Sequence, residues 1–237
     1  MIKKYNFELV NCDTDSISIC NYDQSKITKE TQILMLEEIN KLLPGKVILD
    51  HDGYFPKFLV IRSKNYVMVK EDGKIKYKGS SILDKKRELS TRNLMNEIIS
   101  SILENDINYD LINAIYEKYI IEANNVTDIN QWAVKRTYTK AIMTSERTNE
   151  SKVRDALKDE TMSEGDRFYI YTSKGNTVKL TKHWVKGDED CEKLTKRVFD
   201  TLNIFKEILD MSKFTKYHLK TKRKELEKLL NENATIL

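Results

Sequence analysis

The sequence predicts an α+β protein, in which an antiparallel sheet with a packed helix is followed by a mostly helical part containing a short β insertion. Two observations support this prediction. Short runs of β-branched and aromatic residues separated by turn residues fill the first third of the chain. Apolar residues at helical spacing dominate from Glu88 onward. Only 7 glycines and 2 prolines occur in 237 residues, so few positions interrupt the helices.

The first third is predicted to form strands around one helix. Residues 7–20 predict two strands joined by a tight turn. Residues 28–43 carry a broad apolar stripe, and Thr28 is a suitable N-cap, so this segment predicts a helix that packs on a sheet. Further strands are predicted at 46–50, 55–63, 66–69 and 75–78.

The remainder is predicted to be helical, with strands at two places. Helices are predicted at 88–103, 109–123, 190–209 and 214–230, and strands after Trp132 and at 165–171. Trp184 is predicted to be a core anchor beside the second strand.

The composition is that of a folded, highly charged protein. Hydrophobic residues make up 40% of the chain and charged residues 33%, which is enough for a packed core in one sizeable domain or two small ones. The net charge of +4 is modest, so a nucleic-acid surface would need local clusters of basic residues. No apolar run is long enough to span a bilayer and no signal peptide is recognised, which predicts a soluble cytoplasmic protein.

Cysteine and histidine give no sign of a zinc site or a disulfide framework. Cys12, Cys20 and Cys191 lack Cys-x-x-Cys spacing, and the three histidines stand far apart. We expect reduced thiols and structural or incidental histidines.

Two acids stand at the predicted bend of the first hairpin. If the backbone there is extended, the carboxylates of Asp13 and Asp15 share a face and lie roughly 6 to 7 Å apart. Their mutual repulsion would be relieved by a hard divalent cation such as Mg²⁺. Aspartate is also common in solvated turns. The apolar flanks and the absence of Gly or Asn at the bend favour the metal-binding interpretation.

A row of lysines occurs further along. Lys74, Lys76 and Lys78 alternate with apolar residues, which places three ammonium groups on one face of a strand. Such a row can follow phosphates, or it can protect an exposed edge strand from association. The pattern alone leaves both interpretations open.

The segment Cys12-Asp13-Thr14-Asp15-Ser16, set between two strands, resembles motif C of the family B DNA polymerases. That family usually has Tyr-Gly or Tyr-Cys before Asp-Thr-Asp-Ser, and the cysteine variant is similar to protein-primed phage polymerases. Asn11 departs from the pattern but leaves the acids unchanged. The resemblance implies a two-metal Mg²⁺ site, with Asp15 as the stronger ligand and Asp13 as its support.

Two further elements follow in the order expected for that family. Lys64-Asn65-Tyr66 resembles the Lys-x-Tyr element that lies against the primer end of the duplex. Lys78-Gly79 resembles the Lys-Gly segment that comes next, although the Arg-Arg-Asp often seen afterwards is missing. The resemblance implies DNA-binding roles for Lys64, Tyr66, Lys78 and Gly79.

The basic stretch after Trp132 resembles the start of a polymerase thumb. Lys135, Arg136 and Lys140 are interleaved with hydroxyl groups and a tyrosine, a combination that suits phosphate contacts but is also typical of a solvated face. The resemblance favours DNA binding. It assigns residues 1–87 to the C-terminal part of the palm and 88–237 to the thumb.

The aspartate of motif A, the lysine-bearing finger helix of motif B and a 3′–5′ exonuclease are not recognised in the sequence. The resemblance therefore implies the C-terminal subunit or fragment of a split, phage-like DNA polymerase, located in the bacterial host cytoplasm if phage-encoded. Its partners would be primer–template DNA, deoxynucleoside triphosphates and an N-terminal chain carrying the exonuclease and motifs A and B. A sliding clamp is a further candidate partner, through the apolar residues 234–237.

Two alternatives remain open. One is a non-catalytic DNA-binding or clamp-docking module with a polymerase-like shape, whose binding would fall steeply with salt. The other is a small metal-binding structural protein, which metal would stabilise without any effect of nucleic acid.

Overall fold

The computed structural model describes residues 2–13, 15–84 and 86–214. The chain divides into two compact units, Met1–Leu83 and Asp84–Leu237. Helices and purely antiparallel sheets occur in both units, which confirms the predicted α+β class.

The first unit contains two antiparallel sheets. Its elements are α1 (Ile2–Tyr5), β1 (Phe7–Asp13), β2 (Ser16–Asn21), α2 (Lys29–Leu42), β3 (Lys57–Arg62), β4 (Asn65–Val69), β5 (Ile75–Lys78) and α3 (Ser80–Leu83). β1 pairs with β2, and β3, β4 and β5 pair in that order in a second sheet. β1 also approaches β3, so the two sheets lie side by side within this unit.

The strand predicted at 46–50 is wrong, because this segment is irregular. The Asn40 side chain forms hydrogen bonds with both backbone polar groups of Leu49. Its Nδ2 donates to the Leu49 carbonyl at 3.0 Å, and its Oδ1 accepts from the Leu49 amide at 2.8 Å. A neighbouring strand would have used those same groups. The strand predicted at 55–63 is β3, which begins two residues later, at Lys57.

Helix α2 is confirmed together with its cap, since the Thr28 hydroxyl accepts a hydrogen bond from the Thr31 amide at 3.3 Å. None of its residues is fully buried, and Leu34 and Leu42 remain 55% and 75% exposed. The core of this unit is instead built from the strands. Its buried apolar side chains include Phe7, Ile61, Tyr66, Val67 and Met68.

The second unit is mainly helical and contains one three-stranded sheet. Its elements are α4 (Leu89–Asn105), α5 (Tyr109–Asn124), β6 (Val134–Thr137), α6 (Lys140–Thr144), α7 (Thr148–Ala156), β7 (Arg167–Ser173), β8 (Thr177–Leu180) and α8 (Cys191–Leu202). Helices α4, α5 and α8 pack against one another. Their core includes Leu94, Ile98, Ile112, Tyr116, Leu194 and Val198.

The sheet of the second unit has the order β6–β7–β8 and packs with α6 and α7. Its core consists of Ile142, Val153, Leu157, Phe168, Ile170 and Leu180. Trp184, predicted to be a core anchor, is only half-buried. Its indole Nε1 donates to the buried Glu189 carboxylate at 2.8 Å, which holds the ring at the surface.

The helix predicted at 190–209 ends at Leu202 as α8 and continues as a 3₁₀ turn, Asn203–Phe205. The carbonyl of Phe205 then accepts hydrogen bonds from the amides of Ile208 and Leu209, so the chain after the 3₁₀ turn forms a further tight turn. The predicted buried side is confirmed nonetheless. Its members Leu194, Val198, Leu202, Phe205 and Leu209 are all buried.

Some predictions fall on residues that the structure does not describe. The helix predicted at 214–230 lies outside the described residues, apart from Phe214, and so does the tail at 234–237. Thr14 and Lys85 are likewise outside them. Within residues 2–13, 15–84 and 86–214, no helix is long and apolar enough to cross a membrane.

Candidate functional site

The two acids singled out in the sequence stand at the tip of a real hairpin. Asp13 is the last residue of β1 and is paired with Ser16, the first residue of β2. Only positions 14 and 15 separate the strands, and Asp15 lies in the turn. Asp13 is half-buried and Asp15 is exposed, so solvent reaches both positions. The predicted hairpin is thereby confirmed, while the metal site stays a prediction.

The hairpin acids suit a hard cation but fall short of a complete ligand set. Carboxylate oxygens are the donors that Mg²⁺ prefers, and Mg²⁺ sites often combine one or two carboxylates with substrate phosphates and water. Across the described part of the chain, no group of three or more His, Cys, Asp and Glu side chains is placed to hold a metal ion. Asp13 and Asp15 would therefore need ligands from elsewhere to hold two metal ions.

Tyr66 lies within electrostatic reach of the hairpin tip. Burial raises the pKa of its phenol, and the negative charges of Asp13, Asp15 and Asp52 raise that pKa further. The Tyr66 ring is also stacked on Phe58, with ring centroids 5.2 Å apart. Strand β1, which ends at Asp13, contacts β3, and β3 pairs with β4, which contains Tyr66, so the acids and the tyrosine of Lys-x-Tyr lie in one region of the first unit.

Two lysines flank this tyrosine on neighbouring positions of the second sheet. Lys78 is paired with Tyr66 across β4 and β5, so both side chains project from the same face. Lys64 lies in the two-residue turn between β3 and β4, has a φ of 59°, and is exposed. Neither ammonium group has a carboxylate within ion-pair distance among the residues that the structure describes.

The rest of the predicted lysine row is engaged with acids. Lys74 lies just before β5 and pairs with Asp72 at 2.8 Å, and Lys76 lies 3.6 Å from Asp52. Of the three lysines, Lys78 therefore has the side chain most available for a phosphate.

The backbone of Gly79 lies close to Lys64 and Asn65 at the β3–β4 turn. Its φ is 108°, and a Cβ placed there would lie 2.4 Å from the Lys64 carbonyl oxygen and 2.4 Å from the Asn65 Oδ1. The residue after Lys78 must therefore be glycine for the chain to pass beneath the β3–β4 turn.

The second unit carries the other three predicted DNA-binding residues. On β6, Lys135 is exposed, whereas the Arg136 guanidinium donates to both carboxylate oxygens of Glu150, at 2.7 and 2.8 Å. Lys140 is exposed at the start of α6, and its backbone amide donates to Glu164. Among residues 2–13, 15–84 and 86–214, no carboxylate lies within ion-pair distance of the Lys135 or Lys140 ammonium group, whereas Glu150 offsets the charge of Arg136.

Asn65 and Asp52 were missed by the sequence reasoning. Asn65 is the variable position of Lys-x-Tyr, so the motif gives no reason to select it. Asp52 follows a segment predicted wrongly as a strand, and only the fold shows that its charge reaches Tyr66.

Comparison with known proteins gives partial matches. No protein-family model matches the chain. A DNA polymerase of Thermococcus kodakarensis is 30% identical over 83 residues, which cover 34% of this chain and 5% of that protein. A DNA polymerase of Thermococcus sp. (strain 9oN-7) is 25% identical over 104 residues, covering 43% of this chain and 13% of the relative.

The solved family B DNA polymerase of the hyperthermophilic archaeon Pyrobaculum calidifontis matches 88% of this chain with a TM-score of 0.65, at 13% identity. The structure is similar to part of a family B DNA polymerase. The match covers 28% of that polymerase chain, and the sequence relatives above are covered to only 5% and 13%. Similarity to DNA polymerases is thus found in sequence over a third or more of the chain and in fold over most of it.

Proposed function

We propose that this chain is the C-terminal subunit or fragment of a family B DNA-directed DNA polymerase. In this proposal, residues 1–87 form the C-terminal part of the palm and 88–237 the thumb. The chain provides the motif C carboxylates Asp13 and Asp15 and part of the grip on primer–template DNA. The observation that supports the proposal is that β1, which ends at Asp13, contacts β3, the strand paired with the Lys-x-Tyr strand β4. In keeping with this arrangement, the charges of Asp13 and Asp15 raise the pKa of Tyr66.

The chemistry proposed is nucleotidyl transfer from a deoxynucleoside triphosphate to the primer. Mg²⁺, when bound, supplies the positive charge that favours a deprotonated 3′-oxygen and a leaving pyrophosphate. Asp15, exposed in the turn, and Asp13, at the end of β1, would hold the metal ions from one side. Lys78, which is exposed, would contact the primer strand, and Tyr66, its largely buried neighbour on the same sheet face, would support that contact.

The proposed DNA contacts would come from lysines that no acid neutralises within the described part of the chain. Lys64 and Lys78 in the first unit, and Lys135 and Lys140 in the second, are exposed and suited to phosphate oxygens. Gly79, because it lacks a side chain, would let the turn that carries Lys64 pack closely against the segment after Lys78. Arg136 would contribute by holding Glu150 against β6 rather than by contacting phosphate directly.

A partner chain completes the proposed enzyme. Among the described residues, no group of three or more acids, histidines and cysteines is placed to hold a metal ion, so we propose that a further carboxylate comes from outside them. We propose that it comes from an N-terminal chain with the exonuclease and motifs A and B, as in a split polymerase of phage type. A sliding clamp is a further candidate partner. It would dock on the apolar residues 234–237, which lie outside the described residues.

Primer extension tests this proposal. The purified chain, given primer–template, deoxynucleoside triphosphates and Mg²⁺, should extend no primer by itself. With the polypeptide encoded beside it, extension should appear, and D15A should abolish it while duplex binding persists. Robust synthesis by the chain alone would contradict the dependence on a partner.

A non-catalytic DNA-binding or clamp-docking module is the second candidate function. The incomplete set of metal ligands among the described residues favours it. This alternative predicts DNA binding that falls steeply with salt. It also predicts that no complex containing the chain depends on Asp13 or Asp15 for synthesis.

A further inference from the structure

Asn65 stands between the two proposed DNA contacts Lys64 and Tyr66, and its side chain is only 6% exposed. Both ends of its amide are used. Nδ2 donates to the carbonyl of Ser63 at 2.9 Å, and Oδ1 accepts from the amide of Ser81 at 3.0 Å. One buried side chain therefore connects the β3–β4 turn to the segment that follows β5.

The residues around the Asn65 amide leave space for it and hold the same two segments together. A Cβ at Gly79 would lie 2.4 Å from the Asn65 Oδ1, so the amide fits only because residue 79 lacks a side chain. The Arg62 guanidinium also donates to the Ser81 hydroxyl, which ties the same two segments together a second time. Lys64 and Lys78-Gly79, separate in the sequence, are thus joined through Asn65.

Lys64 needs such support because its backbone is left-handed. A φ of 59° is unfavourable for a residue with a side chain, and it persists only where neighbouring contacts impose it. The bond from Asn65 to the Ser63 carbonyl holds the residue just before Lys64. If that bond were lost, the turn could relax and the Lys64 ammonium would sample more positions, which weakens any contact that requires one of them.

We infer that Asn65 is a positioning residue for the DNA grip: its buried amide fixes the turn that presents the Lys64 ammonium beside Tyr66 and Lys78. This inference rests on the proposed function, since it assumes that Lys64 contacts the DNA backbone. It adds a residue that neither the motif nor the charge pattern selects.

A double-mutant cycle on the intact chain tests the inference. Affinity for a primer–template duplex is measured at several salt concentrations for the wild type, N65A, K64Q and N65A/K64Q. We expect N65A to weaken binding by about fivefold to tenfold in the wild type and by less than about twofold when Lys64 is already replaced. The matched cycle of N65A with K135Q should be additive, because Lys135 belongs to the second compact unit and takes no part in the hydrogen bonds of the Asn65 amide.

The possible results distinguish failure of the proposed function from failure of the positioning role of Asn65. If the wild type shows no salt-dependent duplex binding, the proposed function fails. If the wild type binds and K64Q weakens binding, but N65A has no effect or the same effect with and without Lys64, the role of Asn65 is overturned and the proposed function stands.

If N65A does not fold, a second pair of variants tests whether Asn65 positions Lys64. N65D keeps an acceptor for the Ser81 amide but loses the donor to Ser63, whereas S63D adds the same charge to the same turn and leaves the amide intact. N65D should weaken binding about fivefold more than S63D. Equal losses would overturn the inference.

Discussion

Lys78 lies directly across from Tyr66 in the antiparallel pairing of β4 with β5. Residues paired in this way have Cβ atoms about 5 Å apart on one face of the sheet. The same Tyr66 phenol responds to the charges of Asp13 and Asp15 at the tip of the other sheet. Lys78 and Tyr66 thus share a sheet face, and the charges of the two hairpin acids act on the same tyrosine.

Replacing the hairpin acids should separate catalysis from DNA binding. D13N and D15N, assayed for primer extension in the presence of the proposed partner, should each lose about three orders of magnitude in rate, since a lost metal ligand removes several kcal/mol of transition-state stabilisation. Duplex affinity should change little. D52N is the matched control, because Asp52 is exposed and pairs with Lys76, and its rate should fall far less. Equal losses in all three variants would contradict the assignment.

The pKa of Tyr66 offers a test of the site that requires no activity. The D13N/D15N double variant should lower that pKa, since two negative charges that disfavour the phenolate are removed, but burial should keep it above the ordinary value of about 10. ¹³C NMR of ring-labelled tyrosine, assigned with Y66F, measures the shift. An unchanged pKa would mean that the acids do not face Tyr66.

The same raised pKa affects alkaline stability. Because the folded-state pKa of Tyr66 exceeds its unfolded value, the stability linked to this group is present below about pH 10 and is lost as pH rises through the folded-state pKa. Urea denaturation at pH 9 to 11 should therefore show the wild type losing more stability than Y66F over this interval.

The exposed lysines should govern the salt dependence of duplex binding. K64Q and K78Q should each reduce the slope of log affinity against log salt by about 0.9, the value for one phosphate contact on B-DNA. R136Q is the control, since the Arg136 guanidinium is already paired with Glu150, and its slope should stay near that of the wild type. Fluorescence anisotropy over a salt series measures all three slopes. A smaller slope in R136Q than in K64Q would contradict the assignment of roles.

Gly79 should tolerate substitution less well than Gly73. Both have positive φ, but a Cβ at Gly79 would meet the Lys64 carbonyl and the Asn65 amide, whereas nothing lies within 4 Å of a Cβ at Gly73. We expect G79A to lower the free energy of unfolding by about 3 kcal/mol and G73A by about 1 kcal/mol. Urea denaturation measures both values, and similar costs would show that residue 79 has room for a side chain.

Local patterns were sufficient to predict most elements and the position of the acids. Apolar runs broken by Asp13 and Asp15 predicted the hairpin, and Thr28 predicted the start of α2, because both signals depend on neighbours in sequence. The buried side of α8 followed from helical spacing for the same reason.

Features that depend on distant residues were not predictable. The segment at 46–50 has a strand-like composition, yet the Asn40 side chain occupies the backbone hydrogen-bonding groups of Leu49, which are then not available to a neighbouring strand. The pairing of Arg136 with Glu150 and the hydrogen bond from the Ser81 amide to Asn65 likewise join residues 14 and 16 positions apart. No periodicity in the sequence encodes such contacts.

Fe²⁺-dependent hydroxyl-radical cleavage of a primer–template duplex bound to the chain would locate the metal site on the DNA, because iron can occupy a carboxylate site made for Mg²⁺ and cuts the DNA near it. We expect strand cuts concentrated at the primer 3′ end, competed by Mg²⁺ and absent with D13N/D15N. Cuts spread evenly along the duplex, or a pattern unchanged in that double variant, would contradict this expectation.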